Sequence, residues 1–205
     1  MKTLLFQESM DIVFVILVCL CVFREHTKLF GIVLVVLFCL GFMYRVPYIK
    51  RQPFPKNIIS SPCYGKILSI EEVDMTTIVK IYLSILDVHV QWFPMNGKVR
   101  TVKYKEGEFN LAHLLEKSDY NEKVTTVIQN NFGTVRVDQI AGQLFRRIVN
   151  WSEPGMFVKR GQPLGMIKLS SRVDIHIPTR KVRLLVSEGD YVYGKKTQLA
   201  EWKSL

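Results

Sequence analysis

The chain has 205 residues, a formal net charge of +10 at pH 7 and four cysteines. That length allows one domain plus an accessory segment, and the part after residue 57 is long enough for an ordinary hydrophobic core. The positive excess suits an anionic membrane surface or nucleic acid; without a zinc-finger or RNA-binding signature, nucleic acid is excluded in favour of a membrane.

In chain order, residues 12–23 form an uninterrupted apolar run of twelve, and residues 29–44 a second, of sixteen. As helices they would reach about 18 and 24 Å, short of a hydrocarbon core of about 30 Å. Glu8 and Asp11 precede the first run and no small-residue cleavage site follows it, which argues against a signal peptide. The expectation is a membrane-embedded helical pair over residues 1–44, either a hairpin within one leaflet or two short spans. The bland alternative is a buried helical hairpin. Arg45, Lys50, Arg51 and Lys56 follow closely, and a basic flank favours the cytoplasmic face for what comes next. Pro47, Pro53 and Pro55 mark residues 45–57 as an extended linker. Cys19, Cys21, Cys39 and Cys63 make no Cys-x-x-Cys pair. They have neither metal-ligand spacing nor a disulfide framework, and read as small hydrophobes in a reducing compartment.

Residues 58–205 read as short strands with frequent turns. Residues 77–84 and 133–140 show β-branched alternation, and residues 172–177 alternate strictly. Helical character is expected near residues 109–115 and 139–149. A weak internal repeat is visible: Gly155 to Gly161 leads to Leu164-Gly165, and Gly189 to Gly194 leads to Leu199-Ala200. Its paired glycines suit turns on a compact β scaffold. The class is α+β, predominantly β, behind an N-terminal hydrophobic helical pair.

Near the C-terminus stands Gly161-Gln162-Pro163-Leu164-Gly165-Met166-Ile167-Lys168-Leu169-Ser170-Ser171-Arg172-Val173-Asp174-Ile175-His176. This segment resembles the self-cleavage region of the phosphatidylserine decarboxylase proenzyme family, in its short, archaeal- and bacterial-like subclass. The resemblance runs in order over residues 44–202. It includes Ser61-Pro62-Cys63-Tyr64-Gly65-Lys66-Ile67, Leu86-Asp87-Val88-His89-Val90, Gly107 to Ala112, Asn121-Glu122, and Gln139 to Ile148. It implies self-cleavage between Ser170 and Ser171, with Ser171 becoming a covalent pyruvoyl group that serves as the cofactor. Residues 1–170 and 171–205 would then be partner chains of a heterodimer. Two positions depart from the family pattern: Ser170 stands where glycine is usual, and Tyr64 where an acidic residue is often assigned to self-processing. A tyrosine is neutral at pH 7, with an ordinary pKa of about 10, and cannot orient a histidine by charge.

An unactivated serine hydroxyl is a weak nucleophile and needs a base or a strained bond. His89, where the family places its histidine, is the first acid-base candidate, because imidazole titrates near neutrality. His176 shares a strand face with Asp174 and Arg172 by alternation, which makes His176 with Asp174 an auxiliary candidate pair. Arg146 and Arg147 could bind a phosphodiester or a carboxylate through charge-assisted hydrogen bonds; a solvated helix face is the competing reading. The implied activity is decarboxylation of phosphatidylserine to phosphatidylethanolamine at a membrane. The alternatives are a non-processing lipid-binding relic of the fold and an archaetidylserine decarboxylase.

Overall fold

The computed structural model describes Val18 and residues 27–43, 45–47, 53–108, 110–143, 147–168 and 171–203. The chain divides after Val46 into two units. In the first, the second apolar run forms the helix α1, Thr27–Met43. The first apolar run lies outside the described residues except for Val18. Arg45 closes α1 by donating to the Phe42 carbonyl at 2.7 Å, with its guanidinium over the Phe42 ring. A cation there complements the negative end of the helix. No helix among the described residues is long and apolar enough to cross a membrane.

The second unit is built from fourteen described strands. They are β1 (Ile58–Ser60), β2 (Gly65–Val73), β3 (Thr76–Leu83), β4 (Val90–Trp92), β5 (Gly97–Lys105), β6 (Lys123–Gln129) and β7 (Thr134–Ile140), then β8 (Ile148–Asn150), β9 (Phe157–Val158), β10 (Pro163–Ile167), β11 (Ser171–Pro178), β12 (Val182–Leu184), β13 (Tyr191–Val192) and β14 (Gln198–Trp202). A four-residue helix α2, Leu115–Ser118, lies between β5 and β6. Eight strands form one antiparallel sheet in the order β13-β2-β3-β11-β7-β6-β5-β9, and two three-stranded sheets run β1-β14-β12 and β4-β10-β8. Their inner faces enclose one core that includes Ile81, Leu83, Phe93, Ile128, Val137, Leu164, Val173, Ile175 and Trp202.

The internal repeat has a structural meaning. Its two copies supply β9 and β13, the opposite edges of the large sheet, and then β10 and β14, the middle strands of the two small sheets. Gly155 and Gly189 take a positive φ just before each edge strand, and the turn into the next sheet has its positive φ at Gly161 in the first copy and at Lys195 in the second.

The helix expected over residues 139–149 is corrected. Gln139 and Ile140 end β7, and residues 148–150 are β8, which pairs with β10. Residues 139 and 140 thus belong to the strand that the alternation over 133–140 predicts, which the helix reading overlapped. The helix expected over residues 109–115 is displaced to α2. Residues 172–177 are a strand as the alternation predicts, placed centrally between β3 and β7.

Candidate active site

Ser171 is the first residue of β11 and faces Leu83, the last residue of β3. Strand alternation puts it on the core side with Val173, Ile175 and Ile177, all fully buried. Its Oγ is buried and has no hydrogen-bond partner among the described residues. Burying a hydroxyl without a partner costs about 1–3 kcal/mol, so a site that keeps one there needs a reason beyond packing. Ser170 lies outside the described residues.

The chain ties His89 to the segment that leads into Ser171. From Leu83, opposite Ser171, residues 84–88 turn back to His89, which precedes β4. The His89 carbonyl accepts from the Ile167 N–H at 3.2 Å. Residues 83–89 and 167–171 are therefore tied together at both ends, once at Leu83 with Ser171 and once at His89 with Ile167. His89 is 1% exposed, and its Nδ1 lies 2.8 Å from the Asp87 carbonyl oxygen. A carbonyl only accepts, so Nδ1 carries a proton; in the neutral ring Nε2 is then the nitrogen with the lone pair, the atom a general base uses.

An amide relay with no local sequence pattern to reveal it braces the start of β4, just after His89. Asn150 Nδ2 donates to Gln139 Oε1 at 2.8 Å, Gln139 Nε2 to Gln91 Oε1 at 2.8 Å, and Gln91 Nε2 to the His89 carbonyl at 2.7 Å. Gly165 makes room for it: a Cβ there would stand 2.2 Å from the Val149 carbonyl oxygen and 2.7 Å from Gln139 Nε2. Fully paired, such a network holds one geometry, because each unpaired member would carry a desolvation cost.

His176 and Asp174 lie on the other face of β11. Five and three residues separate them from Ser171, but Arg172, between the two serine-side positions, shares their face instead. Arg172 is 1% exposed and donates from Nε and Nη2 to the Asp174 carboxylate, both at 2.9 Å, and also to Ser118 and Asp119 at the end of α2. Burial pushes the Asp174 carboxyl up, and the Arg172 guanidinium offsets this only in part. His176 Nε2 lies 3.4 Å from Asp138 Oδ2, and Asp138 also accepts from Arg136 and from Thr125. Burial alone would raise the Asp138 carboxyl, but His176 and Arg136 outweigh it and hold it well below the usual carboxylate range.

A depressed folded-state pKa contributes stability that is present above the unfolded pKa, about 3.9 for aspartate, and is lost as pH falls below it. Asp138→Asn should therefore lower stability by about 2 kcal/mol at pH 7, less than the ~3–5 kcal/mol of a fully buried pair because Arg136 is half exposed. Denaturant melts of wild type and variant should converge as pH falls below about 4.

Tyr64 is half-buried in an aromatic cluster. Its ring centroid is 5.9 Å from that of Trp92 and 5.6 Å edge-on from that of Tyr193, which lies 5.0 Å from that of Tyr191. The Tyr191 hydroxyl donates to Asp87 Oδ1, and Asp87 Oδ2 accepts from the Ser84 N–H at 2.8 Å. Cys63 is buried at this junction; burial, then the Asp87 and Asp174 charges, push its thiol up. Trp92 and Phe93 are core residues. Arg146 lies outside the described residues. Arg147 is exposed, and its carbonyl accepts from the Lys168 N–H at 3.2 Å, just ahead of the proposed cleavage point.

The family model described as phosphatidylserine decarboxylase matches residues 39–200. A phosphatidylserine decarboxylase proenzyme of Carboxydothermus hydrogenoformans is 38% identical over 169 residues, covering 79% of each chain. The proenzyme of Bacteroides fragilis is 38% identical over 156 residues, covering 72% of this chain and 68% of the relative. That of Anaplasma phagocytophilum is 37% identical over 161 residues, covering 74% and 70%.

Proposed function

Because the chain belongs to the phosphatidylserine decarboxylase family, we propose that it is a proenzyme that cuts itself between Ser170 and Ser171 and then decarboxylates phosphatidylserine to phosphatidylethanolamine. The observation that carries this reading is the buried Ser171 hydroxyl, without a hydrogen-bond partner among the described residues, on a strand whose approach is tied to the segment that ends at His89.

In maturation, His89 Nε2 accepts the Ser171 hydroxyl proton as Oγ attacks the Ser170 carbonyl carbon. The Ser170 C–N bond breaks, the nitrogen takes up a proton, and an ester joins the two residues. Loss of the Ser171 α-proton then expels the Ser170 carboxylate by breaking the Cβ–Oγ bond. The resulting enamine becomes an imine, and water releases ammonia from it, leaving a ketone at the new N-terminus. The site fits that group, because it is made where Ser171 stands. The pyruvoyl group supplies an electron sink for the carbanion left when CO2 departs. His89 then returns a proton to that carbon, and the amide relay braces the start of β4, just after His89, during both stages.

The two products stay together as a heterodimer. The piece 171–205 contributes β11 between β3 and β7, β13 at the edge of the large sheet, and β12 and β14 of a small one. Removing it would expose the inner faces of all three.

The proposed setting is a membrane, with the domain on the cytoplasmic side and two apolar helices formed from the runs 12–23 and 29–44. Apolar character on every side of α1 supports this. So does an open groove lined by Lys56, Lys98 and Arg100 with the exposed rings of Phe132 and Phe157, a surface of the kind anionic headgroups attract. Arg147 remains the candidate for the substrate's phosphodiester or carboxylate, with Arg146 beside it in sequence. His176 and Asp174 are assigned to the outer-face ion pairs. The named relatives are proenzymes of one activity, so neither the relic nor the archaetidylserine reading is favoured.

Purified protein in lipid vesicles containing carboxyl-labelled phosphatidylserine should release labelled CO2 and form phosphatidylethanolamine in equal amounts. Two-chain protein that turns over no phosphatidylserine would refute the substrate assignment.

A further inference from the structure

The Asp87 carboxylate is buried two residues before the proposed base, His89. One oxygen accepts from the Ser84 N–H at 2.8 Å, and the Asp87 N–H donates to the Ser84 carbonyl at 3.0 Å, so the side chain closes the turn 84–87 on itself. The other oxygen is clamped by the Tyr191 hydroxyl, a residue 104 positions away on the edge strand β13. The carbonyl of the same Asp87 receives the His89 Nδ1 proton at 2.8 Å. Tyr191 is a durable donor, since burial and then Asp87 itself push its phenol well above the ordinary range. Tyr193 packs edge-on against Tyr191, and Tyr64 against Tyr193.

We infer that Asp87 and Tyr191 are positioning residues for His89: together they lock the turn whose carbonyl fixes the imidazole's tautomer and direction. The inference rests on the self-cleavage reading above. It accounts for a tyrosine at position 64, where the family's resemblance leads one to expect an acid. Here orientation of the histidine comes from a backbone carbonyl held by a hydrogen-bonded carboxylate, and Tyr64 braces the aromatic stack behind it. The device works through hydrogen bonds. An amide at position 87 can still accept from the Ser84 N–H with its oxygen and donate from its nitrogen to the Tyr191 hydroxyl oxygen, whereas alanine makes neither bond.

The test uses the full-length chain in detergent micelles. Cleavage is followed by gel after synthesis for wild type, Asp87→Ala, Asp87→Asn and Tyr191→Phe. The His89 tautomer is read from imidazole 15N shifts in precursors carrying Ser171→Ala. Asp87→Ala should slow cleavage by about 10²-fold, the scale of a misplaced catalytic group, and should give a mixed His89 tautomer. Asp87→Asn should stay close to wild type in both readouts, and Tyr191→Phe should fall between. The inference is overturned if Asp87→Ala cleaves at the wild-type rate, if it slows with the tautomer unchanged, or if Asp87→Asn is as slow as Asp87→Ala. Should every form stay a single chain, the self-cleavage reading fails, and the tautomer comparison still decides whether Asp87 positions His89.

Discussion

Ser171→Ala should leave the protein as one uncut chain and abolish decarboxylation. Both effects trace to one atom. In the proposed chemistry the Ser171 Oγ attacks and the Ser171 carbons become the reactive ketone, so alanine removes the cleavage and the cofactor together. The loss should be complete, because an alanine at position 171 has no hydroxyl to attack or to expel and cannot become a ketone. Stability should move the other way or not at all. The hydroxyl is buried with no partner among the described residues, and replacing such a group with an apolar one is close to neutral or stabilising. A melt of Ser171→Ala at or above that of an uncut precursor separates lost chemistry from lost folding. Cleavage persisting in the variant would shift the nucleophile to Ser170 and the cut to the Leu169 carbonyl.

His89→Ala should slow self-cleavage and decarboxylation by about 10²- to 10⁴-fold, the usual contribution of a positioned general base. The geometry makes the effect selective. His89 has its Nδ1 proton committed to the Asp87 carbonyl, its own carbonyl tied to Ile167 and Gln91, and its segment joined to that of Ser171. His176→Ala is the control. That ring faces Asp138 on the opposite side of β11, so its removal should lower stability while leaving cleavage near wild type. Near-normal rates in His89→Ala, or a large rate loss in His176→Ala, would exchange the two roles.

What could be read from the sequence was whatever follows a local period. Residues 172–177 alternate and form β11, and the glycine-flanked valines of the repeat become the two edge strands. The motif around Ser171 and His89 was legible by resemblance, and the fold supplies the reason the two segments meet. Long-range polar pairings were not legible. Gln91, Gln139 and Asn150 come from three strands, and each looks in sequence like an interruption of the apolar pattern rather than one link of a relay. Asp87 and Tyr191 are 104 residues apart, and no spacing rule joins them. The placement of His176 was half legible. Alternation correctly grouped it with Asp174 and Arg172, and the odd offset from Ser171 already puts that group on the other face.

The most direct measurement of the central claim is the intact mass of the purified wild-type protein. Self-processing at Ser171 predicts two chains, residues 1–170 and residues 171–205, with the smaller lighter by one ammonia than the same peptide released by simple hydrolysis. Its N-terminus should react with carbonyl reagents and resist Edman degradation. A single chain of 23.8 kDa in protein that decarboxylates phosphatidylserine would contradict the account, as would a small chain that keeps its serine amine.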